Sequence, residues 1–309
     1  MARIITLTFN PCIDKSTSVA VLIPEKKLIC TAPILEPGGG GINVARAIKK
    51  LGGQALAIYP AGGYTGAAFN ELIKKEQLDA IVIATKNETR ENIIVLDESA
   101  NNQYRFGMPG NELSNEEWNA CINAVEKNKD VEFLVVSGSL PPGVPVGIYS
   151  QLAQLAHHKK AKLIVDTSGE ALNEAIKQGV YLIKPNLGEL SRLADRSHIE
   201  IHEVEKIARE IIAQGKCEVM VVSMGAAGAM LVTKTISATF TPPQVVRKST
   251  IGAGDSMVAG MVHYLSSGNS LEEAVQYGVA SGSAATMNPG TALCKKDDAD
   301  RLYGEIKRK

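Results

Sequence analysis

The sequence predicts an α/β protein with a doubly wound, mostly parallel sheet flanked by helices and a small β-sheet lid over its mouth. Three observations predict it. Short apolar runs alternate with stretches of helical period along most of the chain. Several of the runs are apolar at consecutive positions, as in strands buried on both faces of a parallel sheet. Two early segments break the alternation and read as β structure with little helical signal. All 309 residues are read as one domain.

In chain order, strands are expected at 4–9, 55–59, 133–136, 163–165, 181–183 and 219–222. Helices are expected at 43–51, 66–76, 115–126, 148–157 and 203–213, and Ser114 followed by Glu117 has the form of a capping box. The chain ends in three helical stretches, 253–266, 270–287 and 297–307. The middle one is crowded with small residues from Gly278 to Ala285, which fit either close approach to a ligand or tight helix packing. The two exceptions, about 16–35 and 91–106, form the expected lid. Long insertions beside a core are often functional, although a plain surface hairpin has the same signature.

Composition narrows the class of function. Thirty-three basic residues balance 33 acidic ones, which gives no electrostatic reason to expect nucleic acid or a membrane surface as partner. Five dispersed cysteines, with no paired spacing, read as reduced thiols in a cytoplasmic protein. The apolar start is broken by Asn10-Pro11 before it reaches the length of a signal-peptide core. No run approaches the roughly 18 apolar residues that cross a bilayer.

Two stretches carry chemistry. In Ser249-Thr-Ile-Gly-Ala-Gly-Asp255, the small residues Gly252, Ala253 and Gly254 stand just ahead of a helix. Amides at that end of the helix dipole bind anions, and small side chains let a phosphate approach the backbone. An acid placed there repels the anion, so it needs a reason, and taking a proton from an attacking hydroxyl is one. Taken alone, Asp255 fits equally a helix cap after a glycine turn. The second stretch is Gly38-Gly39-Gly40-Gly41-Ile-Asn43, four glycines that are costly to order, followed by an amide suited to sugar hydroxyls. A flexible loop is the plain alternative. The sequence has no GxxxxGK[ST] P-loop and no GxGxxG after a strand.

With these stretches in their order, and with Asn186-Leu-Gly-Glu189 after Lys184-Pro, the chain resembles the ribokinase-like family of carbohydrate kinases over essentially its whole length. It is most similar to the phosphofructokinase B branch, through Thr8-Phe-Asn-Pro-Cys-Ile-Asp14, Tyr59-Pro-Ala-Gly-Gly63, Ser137-Gly-Ser-Leu-Pro-Pro-Gly143 and Val165-Asp-Thr-Ser-Gly169. One departure is Ala292, where the 6-phosphofructokinase pattern has a basic residue after Gly-Thr.

The resemblance implies an ATP-dependent kinase of a phosphosugar. Conversion of fructose 6-phosphate to the 1,6-bisphosphate leads, with fructose 1-phosphate or tagatose 6-phosphate as alternative substrates. A free-sugar or nucleoside kinase and a non-catalytic sugar-binding regulator are the further readings. The resemblance implies that Asp255 is the base and that Gly252, Ala253 and Gly254 form the anion cradle. It assigns the sugar phosphate to Asp14, Lys27, Gly38, Gly39, Asn43, Arg90, Arg105 and Ser139, and the nucleotide to Lys184, Asn186, Ser223, Gly225, Gly228 and Ser283. Glu189 would organise Mg²⁺ through water. Ser249, Ile251, Ala285, Asn288 and Gly290 would hold K⁺, and residues 288–294 would wall the adenine side. A homodimer through the lid is also implied.

Overall fold

The computed structural model describes residues 3–307. β1 (Ile4–Leu7) leads to β2 (Cys12–Val19), β3 (Ile34–Gly38), α1 (Gly40–Lys50), β4 (Leu56–Gly62), α2 (Gly63–Lys75) and β5 (Asp79–Thr85). Next come β6 (Arg90–Asp97), β7 (Asn102–Phe106), α3 (Asn115–Lys127), β8 (Phe133–Ser137), α4 (Ile148–Lys159), β9 (Lys162–Asp166) and α5 (Gly169–Ala175). β10 (Val180–Ile183), α6 (Leu187–Leu193), α7 (Val204–Ala213), β11 (Cys217–Ser223), β12 (Ala229–Val232) and β13 (Ser237–Phe240) follow. Three helices close the series: α8 (Ala253–Ser266), α9 (Leu271–Thr286) and α10 (Lys296–Lys307).

Among the described residues, nine strands form one sheet in the order β13-β12-β11-β10-β9-β8-β1-β4-β5. All neighbours are parallel except the pairings of β12 with β11 and β13. Side chains alternate between two apolar layers. Phe133 and Val135 of β8 enter the layer shared with α1, α8, α9 and α10, while Leu134 and Val136 enter the layer shared with α3, α4 and α7. This double burial explains why the inner strands read as unbroken apolar runs.

The order also fixes where a ligand binds. The chain leaves β1 toward β4 and β5, then returns to build β8 to β11 on the other side. The crevice between the carboxyl ends of β1 and β8 is therefore the topological switch point of the sheet, where open α/β sheets bind ligands.

The remaining four strands form a second sheet in the order β3-β2-β6-β7. The expected lid segments need correction. The first strand begins at Cys12, so Asp14 lies within the sheet, and residues 20–33 contain no strand. The first helix starts at Gly40 rather than near Asn43, so two of the four glycines belong to its first turn. β5, β12 and β13 were not expected, nor were the seven-residue helices α5 and α6. β5 is a half-exposed edge strand, and the others are too short to show a period.

One buried charge clamps the start of α1. Arg46 is 1% exposed. It pairs with Glu36 of β3 at 2.9 Å and with Glu76 after α2 at 2.7 Å, and gives a hydrogen bond to the Pro37 carbonyl at 2.9 Å. Removing one member of such a set leaves a buried charge uncompensated. Arg46→Ala is therefore expected to lower unfolding free energy by about 3–5 kcal/mol. A urea midpoint equal to that of the wild type would contradict this.

Candidate active site

At the crevice two helix starts meet. Gly40 and Gly41, in the first turn of α1, press against β8 and β1. An added Cβ at Gly40 would lie 2.3 Å from Ser137 Oγ, and one at Gly41 would lie 2.5 Å from Thr8 Oγ1. The tetraglycine run is thus used for close approach, and Gly39, at φ 106°, turns the chain into the helix. α8 begins in the same way. Gly252 is its N-cap in the left-handed region at φ 69°, and Asp255 follows in the first turn. An added Cβ at Gly252 would also meet Leu293 Cδ2 at 2.5 Å. Asp255 is therefore not the helix cap.

A hydrogen bond joins the two starts. Asn43 Nδ2 donates to Asp255 Oδ2 at 2.9 Å. Asn43 Oδ1 is buried with no hydrogen-bond partner among the described residues, which leaves an acceptor that a substrate hydroxyl would satisfy. The Lys184 ammonium lies 3.3 Å from where a Cβ on Gly254 would stand and 3.3 Å from Asp166 Oδ1. Burial, and then the Asp166 charge, push the Asp255 carboxyl up to about 6, against the pull of Asn43 and Lys184. Burial alone would lower Lys184, but Asp166 and Asp255 more than offset it and hold the ammonium above its ordinary range.

The cavity beside this pair has a volume of about 420 Å³ and is lined by Gly40, Ser137, Ser139, Asp166, Glu189 and Asp255, among others. Asn186 and Glu189 form a reciprocal cap at the start of α6. Asn186 Oδ1 accepts the Glu189 amide at 2.9 Å, and Glu189 Oε2 accepts the Asn186 amide at 2.9 Å. The other oxygen of Glu189 makes no hydrogen bond or ion pair among the described residues. With Asp166 on the same cavity, the oxygen donors present suit a hard divalent cation.

The small sheet brings further polar groups near Asp255, whose carboxyl feels the Asp14 charge. Asp14 is buried on β2, with one oxygen held by Asn92 at 3.0 Å and by the Cys12 thiol at 3.3 Å. Burial raises its carboxyl above the ordinary range, while the Asn92 and Cys12 hydrogen bonds pull it back. Gly38 makes room for it, since an added Cβ there would lie 2.2 Å from Asp14 Oδ2. Arg90 donates to the Met108 and Asn10 carbonyls at 2.6 and 3.0 Å, and its buried Nε has no partner among the described residues. Ser139 accepts from Asn10 at 3.0 Å. Arg105 reaches from β7 to Thr250 Oγ1 at 2.8 Å, linking the small sheet to the loop before α8.

On the far side, Ser249 Oγ donates to the Gly290 carbonyl at 3.0 Å and accepts the Ile251 amide at 3.2 Å. The Asn288 amide donates to the Ala285 carbonyl at 3.1 Å. These hydrogen bonds bring Ser249 against Gly290 and Ile251, and Asn288 against Ala285, all among the residues expected around K⁺.

Other expected residues stand apart or serve the fold. Lys27 is exposed in the strand-free stretch 20–33. Ser283 Oγ is spent on the Val279 carbonyl of its own helix at 2.8 Å. Ser223 is hydrogen-bonded through its amide to the Pro185 carbonyl at 2.9 Å. Gly228 is required by packing, with an added Cβ only 2.0 Å from the Phe240 carbonyl, while Gly225 faces open space. Asp166, at the end of β9, lines the cavity without having been expected there. The signal was its place at the end of a buried strand, where ligands bind in such sheets.

Comparison with known proteins gives a consistent result. The model of the pfkB family of carbohydrate kinases matches residues 7–298. The chain is 46% identical to ATP-dependent 6-phosphofructokinase isozyme 2 of Escherichia coli (strain K12) over 309 residues, covering 100% of both. The crystal structure of phosphofructokinase-2 from Escherichia coli with potassium superposes with a TM-score of 0.94 at 46% identity, covering 100% of each chain. Its complex with fructose-6-phosphate gives 0.92 at 44% identity, again covering 100% of each.

The raised carboxyl of Asp255 has a consequence for stability. Its value rises from 3.8 to about 6, so the folded state holds this proton more tightly than the unfolded chain. Ionisation costs stability as pH climbs from about 4 to about 6, and the whole cost remains above that. Asp255→Asn, neutral throughout, is expected to raise Tm over the wild type more at pH 8 than at pH 4.5. Equal gains at both pH values would refute the burial of this charge.

Proposed function

Since the chain belongs to the pfkB family of carbohydrate kinases, phosphotransferases with an alcohol acceptor, we propose that it phosphorylates fructose 6-phosphate with ATP, using Asp255 as general base. The observation that carries this reading is the Asn43–Asp255 hydrogen bond at the switch point, immediately behind the glycine cradle of α8. In the reaction the sugar hydroxyl oxygen forms a bond to the γ-phosphorus, and the bond from that phosphorus to the β,γ-bridging oxygen breaks, releasing ADP. The hydroxyl proton passes to Asp255. Amides at the start of α8 and the Lys184 ammonium offset the charge that develops on the transferred group.

Asp14, Gly39 and Asn43 hold the sugar hydroxyls, and Arg90, with Ser139 and Arg105, holds the phosphate already on the sugar. A guanidinium suits that task because its donors pair with two phosphate oxygens at once. Glu189 and Asp166 would hold Mg²⁺, which would supply positive charge against the nucleotide phosphates. Ser249, Ile251, Ala285, Asn288 and Gly290 would hold K⁺, which would stiffen the loop before α8. The Escherichia coli relative described with potassium supports the ion, and the one described with fructose-6-phosphate supports the substrate.

The small sheet acts as a lid and as a dimer surface. Strand alternation puts Glu36, Asp14 and Asn92 in one row on the substrate side. The next row, Leu35, Lys15, Ile93 and Phe106, faces away, and Leu35, Ile93 and Phe106 are 44%, 40% and 48% exposed. A row with three exposed apolar side chains around Lys15 is suited to a second copy of the chain. The free thiols of all five cysteines support a reducing, cytoplasmic location. No helix among the described residues is long and apolar enough to cross a membrane.

A coupled ADP-release assay across fructose 6-phosphate, fructose 1-phosphate, tagatose 6-phosphate and ribose, with and without K⁺, tests the assignment. The first sugar is expected to give the highest kcat/KM, and K⁺ to raise it. Asp255→Asn is expected to lose at least about a hundredfold in kcat, the lower range for a general base. For the wild type, kcat/KM should rise with pH through about 6 as Asp255 ionises in the free enzyme. A near-normal rate for the Asn variant removes Asp255 from the role, and faster turnover of ribose removes the phosphosugar. Ile93→Asp with Phe106→Asp is expected to yield monomers in analytical ultracentrifugation.

A further inference from the structure

The segment between α9 and α10 touches both halves of the site. Toward the phosphate side, Gly290 receives the Ser249 hydrogen bond at 3.0 Å, and Leu293 packs against Gly252 so closely that no Cβ fits there. Toward the sugar side, Glu36 Oε2 accepts the Thr291 hydroxyl at 2.6 Å and the Thr291 amide at 3.2 Å. Glu36 stands directly across the strand pair from Asp14 and two residues before Gly38. Its other oxygen holds Arg46, which lies on α1 three residues beyond Asn43 and also donates to the Thr291 carbonyl at 3.4 Å.

The two oxygens of one carboxylate therefore grip two different elements, the helix that carries Asn43 and the segment that packs on Gly252. The segment is braced internally, because Asn288 Nδ2 donates to the Ala284 and Leu293 carbonyls at 3.1 and 2.9 Å. Thr291 is fully buried, and its hydroxyl has no water to turn to if the contact lengthens. Charge-assisted hydrogen bonds in such surroundings resist stretching, so a shift at β3 moves Thr291, then Leu293, then the start of α8.

We infer that Glu36 and Thr291 are positioning residues that hold the sugar loop and the phosphate loop in register, so that sugar-phosphate binding and nucleotide binding are energetically coupled through their contact. This inference rests on the kinase reading above. Neither side chain touches a reacting atom. Their effect passes through Asn43 on one side and through Gly252 on the other.

Isothermal titration of the full chain measures it. The quantity read is the ratio of fructose 6-phosphate dissociation constants without and with saturating Mg²⁺ and β,γ-imido-ATP. Uniform loosening of the fold does not alter this ratio. Coupling between two sites typically amounts to about 5- to 150-fold, and the wild-type ratio is expected to lie in that range. Thr291→Val keeps the shape and removes the hydroxyl, and should bring the ratio down at least about threefold toward one. Thr291→Ser keeps the hydroxyl and should retain the wild-type ratio. Glu36→Gln, which turns an amide donor or a weaker acceptor toward Thr291, should also reduce the ratio and serves if the Val variant folds poorly. A wild-type ratio of one, an unchanged ratio in the Val and Gln variants, or equal losses in Val and Ser would each overturn the inference. Failure of the wild type to bind fructose 6-phosphate at all would instead overturn the functional reading on which it rests.

Discussion

The hydrogen bond from Asn43 to Asp255 is the contact around which the rest of the site is arranged. It spans two helix starts that are 212 positions apart in the chain, one carried off β3 and the other ahead of α8. Each start presents backbone amides and lacks a bulky side chain, so each is suited to an electronegative group. Holding an acid between them is costly, because burial and the Asp166 charge disfavour its ionised form and only Asn43 and Lys184 pull the other way. The result is a carboxyl raised to about 6, close enough to neutrality to accept a proton yet ionised at pH 7. Lys184 moderates the repulsion between Asp166 and Asp255 and keeps the cluster from excluding an anion.

The sheet order explains why this contact is possible. At the crevice between β1 and β8 the chain leaves in opposite directions, which opens the space over the strand ends where the starts of α1 and α8 meet. Gly40 and Gly41 let α1 settle onto β8 and β1 at that point, and a side chain at either would push the helix outward. The packing of small residues along α9 against α8 has the same logic. An added Cβ at Gly278 would lie 2.5 Å from Met261 Cγ, and one at Gly260 2.5 Å from Ser281 Oγ, so α8 is held close and its start is held in place. Of the two readings open for those small residues, helix packing accounts for these contacts.

The small sheet joins two tasks through strand alternation. Its inner row presents Asp14, Asn92 and Glu36, all polar and hydrogen-bonded, whereas Leu35, Ile93 and Phe106 of its outer row are apolar and exposed. Cys12 and Asn92 commit one oxygen of Asp14, and the Met108 amide donates to Asn92 Oδ1 at 3.0 Å, which sets the orientation of that amide. The sheet is thus tied to the body by specific polar contacts together with Ile13 of β2, which is buried in the apolar layer that holds α1 and α8.

The sequence alone determined the architecture, the kinase family and the identity of the two glycine-rich stretches. Buried parallel strands are apolar at every position and glycine before a helix has few other uses, so both leave a local signature. Short and edge elements, α5, α6, β5, β12 and β13, left none, since a period needs length and burial to be read. Local pattern placed Asp255 near a helix start but left it open whether it capped that helix. The cap is Gly252, and the tertiary structure set Asp255 against Asn43. Asp166 had a local signal in its place at the end of a buried strand, but the Arg46 clamp and the Glu36–Thr291 contact were beyond the sequence for the same reason. Each is a pairing between distant segments, made by the fold from residues that look ordinary in their own neighbourhoods.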